Sequence, residues 1–277
     1  DVCVRGEGEH TFLKIIDTYV ETGSFMNVDG IGYLDNDGIY HQNGFLPRIT
    51  DLSTIPWPDW QEDYLEKFWS AGKSFGIATK RDMPFMFSRG CPYNCTFCSS
   101  RQMWTSKYVL REIDDVIAEI KYYIARYDIT SLQLYDLTAI VKKDWIVAFC
   151  QRLIDEDIKL NWSLPSGTRS EVLDRETLEL LYRSGCNYLV YAPESGSIKT
   201  LVNIKKSIKL ENLTRSVLNA KQIGICCRIN LIIGFPSELW PDIFQTVFYG
   251  LKMSIRGVDE VPIFIFSPYP GTEIFYK

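Results

Sequence analysis

Pro84-Phe85-Met86-Phe87-Ser88-Arg89-Gly90-Cys91-Pro92-Tyr93-Asn94-Cys95-Thr96-Phe97-Cys98 is an apolar run that gives way, at Arg-Gly-Cys-Pro, to a loop with three cysteines spaced C-x-x-x-C-x-x-C. A short apolar segment closed by glycine and proline reads as a strand that stops, so three thiols sit together at a strand's end. Soft thiolates select zinc, copper(I) or iron–sulfur centres over hard cations. A closed structural zinc site takes four ligands, usually as two separated pairs. Here the nearest further cysteine is Cys150, and the only histidines, His10 and His41, lie far upstream. A four-iron cluster held by three cysteines instead leaves one iron open to a substrate or cofactor. A zinc loop and incidental core cysteines are the other readings of the same residues.

Downstream of this loop, apolar runs alternate with helical periodicity. Ile113, Val116, Ile117, Ile120 and Ile124 recur at helical spacing behind Asp114 and Asp115, acids that suit a helix N-terminus. Then come a strand from Ile129 to Tyr135, a helix through Trp145 to Leu153, a strand from Lys159 to Leu164, and a helix from Glu176 to Tyr182. A strand from Tyr188 to Tyr191, a helix near Leu213 to Gln222, a strand from Ile225 to Ile233, a helix near Ile243 to Met253 and a strand from Val261 to Phe266 complete the series. Near-continuously apolar strands alternating with helices indicate βαβ units around a parallel sheet buried on both faces. Periodicity alone leaves a doubly wound open sheet and a partial TIM-like barrel both standing.

Upstream, Asp1-Val2-Cys3-Val4, the glycines of Arg5-Gly6-Glu7-Gly8-Glu9 and the helical pattern Phe12 to Val20 have the form of an α/β unit. Ile31 to Leu34 and Gly38 to His41 read as a hairpin closed by an Asn/Asp/Gly turn, with His41 at the surface. Leu52 to Trp60 carries Pro56 and Pro58 between tryptophans, an extended linker expected to strap a domain face. Residues 1–70 are thus a small α+β linker region and 71–277 the main domain.

The 277 residues are 46% hydrophobic, enough for a sizeable core, and 30 Lys plus Arg against 35 Asp plus Glu give a net charge of −5. That balance lacks the basic footprint of a nucleic-acid binder. No run approaches the ~18 apolar residues of a membrane span, and the start has no signal-peptide pattern; eight cysteines, three of them clustered, fit a reducing, cytoplasmic compartment better than a disulfide framework.

The cysteine loop, with Phe97 before its last cysteine, resembles the cluster loop of the radical S-adenosylmethionine (SAM) superfamily. The Arg5–Glu9 phrase is similar to the one that closes the cobalamin-binding domain in that superfamily's B12-binding branch, and Glu194-Ser195-Gly196, Gly234-Phe235-Pro236-Ser237-Glu238 and Ser267 to Thr272 resemble later family phrases in the family's order. The resemblance implies an open (β/α)6 barrel of the partial TIM type. It also implies a [4Fe-4S] cluster on Cys91, Cys95 and Cys98, and reductive cleavage of SAM to methionine and a 5′-deoxyadenosyl radical. Cobalamin would be bound mainly by residues outside this chain, which reads as a fragment lacking most of that domain. A small-molecule or natural-product substrate and an electron donor such as flavodoxin or ferredoxin are the implied partners, and methyl transfer or a ring-forming oxidation the implied outcome. A methylthiotransferase, and a non-enzymatic iron–sulfur or zinc module, are the rivals.

In parallel α/β folds functional groups collect at the carboxyl ends of strands. By resemblance, Asp136 accepts the SAM amino group, although an Asp at a strand end is also an ordinary helix cap. Glu194 and Ser195 face the SAM ribose or amino group, with Ala192-Pro193 standing where the family has Gly-Ile; the other reading is a helix-starting Ser/Gly turn. By the same resemblance, Gly234 lies on the adenine side, where bare backbone approaches the ring. Arg169 suits either a carboxylate clamp or a surface charge. Arg228, a cation among apolar residues, needs either a cofactor carboxylate or a structural acid. Cys150, Cys186, Cys226 and Cys227 read as core residues, and Lys205-Lys206 as a solvated face.

Overall fold

The structure, a computed structural model, describes residues 1–72, 77, 79–169 and 172–276. Near the N-terminus, β1 (Val2–Val4) leads through Gly6 to α1 (Gly8–Thr22), and β2 (Ile31–Leu34) and β3 (Tyr40–Gln42) follow. β1 pairs antiparallel with β2, and β2 with β3. The expected strand, turn and helix are present, and their strand opens an antiparallel meander. The hairpin turn closes because Asp35 Oδ1 accepts from the backbone N–H of Asp37 and of Ile39, each at 2.9 Å, while Gly38 takes φ +77°. His41 is surface-exposed and paired with Asp35.

The linker then crosses the outside of the next domain. Trp57 donates to Asp115, and the carbonyls of Pro58 and Trp60 accept from the hydroxyls of Tyr123 and Tyr127. The expected strap is therefore present, preceded by a short 3-10 turn at Leu52–Thr54 and followed by α2 (Glu62–Ser70). Residues 73–76, beside the boundary expected at 70/71, lie outside the described residues.

The main domain runs β4 (Asp82–Phe85), β5 (Ser88–Arg89), α3 (Ser100–Trp104), β6 (Val109–Leu110), α4 (Ile113–Tyr127), β7 (Ser131–Leu134), α5 (Lys143–Asp155), β8 (Asn161–Thr168), α6 (Arg175–Arg183), β9 (Cys186–Glu194), α7 (Ile198–Asn203), α8 (Leu210–Ile223), β10 (Cys226–Ile233), α9 (Trp240–Ile255) and β11 (Ile263–Ile265). Its sheet has the order β11-β10-β9-β8-β7-β4, every neighbouring pair parallel. Strands laid down strictly in chain order lack the reversal of a doubly wound sheet, and β4 and β11 stand at opposite edges. The result is an open, six-stranded partial barrel.

Alternation along the strands decides which face is which. Met83, Phe85, Leu132, Leu134, Trp162, Leu164, Leu189, Tyr191, Cys227, Ile229 and Leu231 join one core with Val116, Ile120, Phe149, Leu178 and Val217 from the helices. Burying each large apolar side chain there contributes about 1.5–3 kcal/mol. The intervening residues, among them Gln133, Ser163, Val190, Arg228 and Asn230, point to the other, concave face. Cys150, Cys186 and Cys227 are buried in the core, as expected, whereas Cys226 alternates to the other side of β10, is only half-buried and lies outside that core. Among the described residues no helix is long and apolar enough to cross a membrane.

Candidate active site

The cysteine loop leaves the sheet because Asp136, just past the end of β7, captures the chain. Its carboxylate accepts from the backbone N–H of Phe87 and of Ser88, at 3.2 and 2.6 Å, and from the Ser88 hydroxyl. The apolar run therefore stops pairing at Phe85, two residues earlier than its composition suggests, and Ser88–Arg89 pairs instead with Val109–Leu110. Burial pushes the Asp136 carboxyl up to about 7 against these hydrogen bonds. Asp136 is only 1% exposed, and its carboxylate braces the loop. Two residues on, Thr138 lies 3.2 Å from the Cys91 sulfur and donates its own proton to the Leu137 carbonyl.

Gly90 makes the next step possible. It has φ +89°, and a Cβ there would stand 2.0 Å from the Lys107 carbonyl oxygen. The loop beyond is tied to distant segments: Thr96 N–H donates to the Ile204 carbonyl, Ile274 N–H donates to the Thr96 carbonyl, and Phe97 packs against Phe235 with ring centres 5.6 Å apart. Phe97, Phe235, Leu201 and Ile204 make a small apolar cluster behind the thiols.

Lys206 is the residue that sequence reading missed. Rather than a solvated face, its side chain is 12% exposed and its ammonium lies 2.8 Å from Glu194 Oε1. Burial opposes that charge, but Glu194 and Cys95 together raise the Lys206 pKa above its ordinary value. The Cys95 thiol is pushed up by burial, with Lys206 and Arg169 pulling it back towards the thiolate and Cys98 and Glu194 acting the other way. Arg169 stacks on Tyr93 of the cysteine loop, 3.4 Å from ring centre to guanidinium carbon, and donates to the Ser207 carbonyl. A sulfur, two cations and a carboxylate from four separate segments thus converge.

The other expected residues divide. Glu194 ends β9 at φ +70°, a left-handed turn that a non-glycine residue adopts at a cost of roughly 1–3 kcal/mol. Ser195 does not stand beside it in the mouth. It is fully buried, its hydroxyl 2.8 Å from that of Thr246. Gly196 explains the phrase, because a Cβ there would strike the Gln245 carbonyl of α9 at 2.6 Å. Gly234 (φ +89°) has open space where a Cβ would be, while Glu238 accepts from the backbone N–H of Gly234 and of Phe235. Arg228 sits lower on β10, with Glu260 at 3.1 Å and Asn230 at 2.8 Å.

Cys91, Cys95 and Cys98 are free thiols. Among the described residues no group of three or more His, Cys, Asp or Glu gathers where one metal ion would be held. Cysteines on a four-iron cluster each bind a different iron and need not converge on one point, and an all-sulfur donor set on one loop fits that group. A cavity of about 720 Å³ opens along the flank of β4 between α1 and the linker, bordering the loop at Ser88 and Arg89.

The sequence model of the radical SAM superfamily matches residues 85–249. Over 99% of its length the chain is 28% identical to an uncharacterized methyltransferase of Pyrococcus horikoshii, covering 57% of that protein. Over its whole length it is 27% identical to an anaerobic magnesium-protoporphyrin IX monomethyl ester cyclase of Rubrivivax gelatinosus, covering 49% of it. The chain thus spans about half the length of these curated relatives. Its fold matches that of TsrM from Kitasatospora setae, a radical S-adenosylmethionine methyltransferase solved with cobalamin and a [4Fe-4S] cluster bound, at TM-score 0.74 and 14% identity over 99% of this chain and 53% of that one.

Proposed function

The chain belongs to the radical SAM superfamily, and on that premise we propose that it is the barrel of an enzyme cleaving SAM at a [4Fe-4S] cluster held by Cys91, Cys95 and Cys98. The observation that carries this reading is the setting of the loop: three free thiols at the carboxyl edge of an open parallel sheet, with Lys206, Arg169 and Glu194 around Cys95. A cluster bound there supplies the electron that breaks the sulfonium carbon–sulfur bond, since the hard chemistry belongs to the cofactor.

The chain's own residues bind and orient. Lys206 and Arg169 supply positive charge for the SAM carboxylate. Glu194, already ion-paired and held in a left-handed turn, takes the amino group or the ribose hydroxyls. Gly234 offers uncovered backbone to the adenine, and Phe97 with Phe235 keeps water from the loop's inner side.

The methyltransferase and cyclase names among similar proteins support a cobalamin-dependent methyl transfer to a small molecule, with ring closure as the second outcome. Residues 1–70 would then connect the barrel, 71–277, to a cobalamin-binding unit, and a flavodoxin or ferredoxin in the cytoplasm would deliver the electron.

Anaerobic reconstitution, reduction with dithionite and addition of SAM tests the core of this reading. Methionine and 5′-deoxyadenosine should accumulate with the intact chain and not with Cys98→Ala. An intact chain that takes up iron and sulfide yet leaves SAM whole would defeat it.

A further inference from the structure

Arg89, two residues before Cys91, is gripped from the far end of the chain. Its Nη1 lies 3.2 Å from Glu7 Oε1, and its Nη2 bonds to Glu9. The second oxygen of Glu7 accepts from Arg48 Nε at 2.9 Å and from the Ile49 backbone N–H at 2.7 Å. Arg48 and Arg89 both lie over the Trp104 ring, 5.3 and 5.7 Å from its centre. Arg48 Nη1 reaches the Lys107 carbonyl at 3.4 Å, the same oxygen that leaves no room for a Cβ on Gly90. Glu7, Arg89, Gly90, Lys107 and Arg48 therefore close a ring of contacts around the chain where it turns into the cysteine loop.

Charge makes Glu7 the keystone of this ring. Its side chain is 4% exposed, and those of Arg48 and Arg89 are 11% and 14%. Among the described residues it is the one carboxylate paired with both guanidiniums; without its charge two cations would share one indole with only Glu9, on Arg89, to balance them. Removing one partner from a buried ionic group costs far more than the intact group contributes.

We propose that Glu7 and Arg89 are positioning residues for the cysteine loop, making residues 1–49 and Cys91 one mechanical unit. This rests on the reading that the cysteines hold a cluster, and it places an acidic clamp from the N-terminal segment in the second layer around that group. Such outer partners typically change metal affinity or activity about 10–100-fold when removed.

The test uses the full chain with Glu7→Gln and Arg89→Lys. In reduced apoprotein, site-resolved alkylation by iodoacetamide should be faster at Cys91 in both variants and unchanged at Cys3. After reconstitution, iron loss to a chelator should be about tenfold faster, and the midpoint potential of the cluster that remains should shift. Cys91 alkylation and midpoint potential both at wild-type values would overturn the proposal. Should the wild-type chain take up no cluster, the proposed function fails, and the apoprotein alkylation rates still decide the coupling. Should Glu7→Gln not fold, Arg89→Lys keeps the charge and is read by the same two measurements.

Discussion

Lys206 and Glu194 meet at 2.8 Å behind Cys95, both side chains nearly buried. A pair so placed is costly to break. Lys206→Met leaves the Glu194 carboxylate without its cation, and the expected loss is about 3 kcal/mol of folding stability together with at least tenfold weaker SAM binding. Glu194→Gln should cost less stability, because a neutral amide still accepts from the ammonium. Urea unfolding of the apoprotein and equilibrium binding to the reconstituted chain separate the two effects. Equal stability of Lys206→Met and the wild type would remove the pair from the account.

Asp136 gives a signed pH dependence. Its folded-state pKa is raised from 3.8 to about 7, chiefly by burial, so its contribution to stability is fully present below about pH 4 and is lost as pH rises towards 7. At 1.36 kcal/mol per unit the change is roughly 4 kcal/mol. The stability difference between wild type and Asp136→Asn should therefore shrink or reverse between pH 4 and 8. A difference that stays constant across that range contradicts a buried, proton-holding carboxyl.

Gly90→Ala introduces a Cβ 2.0 Å from backbone oxygen at a residue with φ +89°. The strained conformation alone costs roughly 1–3 kcal/mol, and the clash requires the loop to move. The variant should fold with a lowered melting temperature and take up markedly less iron, whereas Gly38→Ala, at a turn with open space around it, should lose stability and keep its iron uptake.

Much of the barrel was legible in sequence because buried parallel strands are written as unbroken apolar runs, and six of them recur with helices between. Pairing direction is not written that way. β1 and α1 look the same whether the next strand is parallel or, as here, antiparallel. The cysteine loop was legible because its chemistry is local, three thiols within eight residues. What surrounds it was not. Lys206 sits in a polar Lys-Lys-Ser stretch that reads as solvated until Glu194, twelve residues away, is seen beside it. Asp136 reads as an open ligand until Ser88, 48 residues away, is found on its carboxylate. Ser195 shares a phrase with Glu194 yet faces the opposite way, because Gly196 brings the chain hard against α9. Contacts across that much sequence are set by topology, and periodicity carries no trace of them.

The most direct test of the central claim is electron paramagnetic resonance of the anaerobically reconstituted, dithionite-reduced chain, recorded with and without SAM. The account predicts the signal of a reduced four-iron cluster that changes shape when SAM is added and is lost or displaced in Cys91→Ala, Cys95→Ala and Cys98→Ala. A chain that yields no such signal, or one whose signal is the same with SAM present, would contradict it.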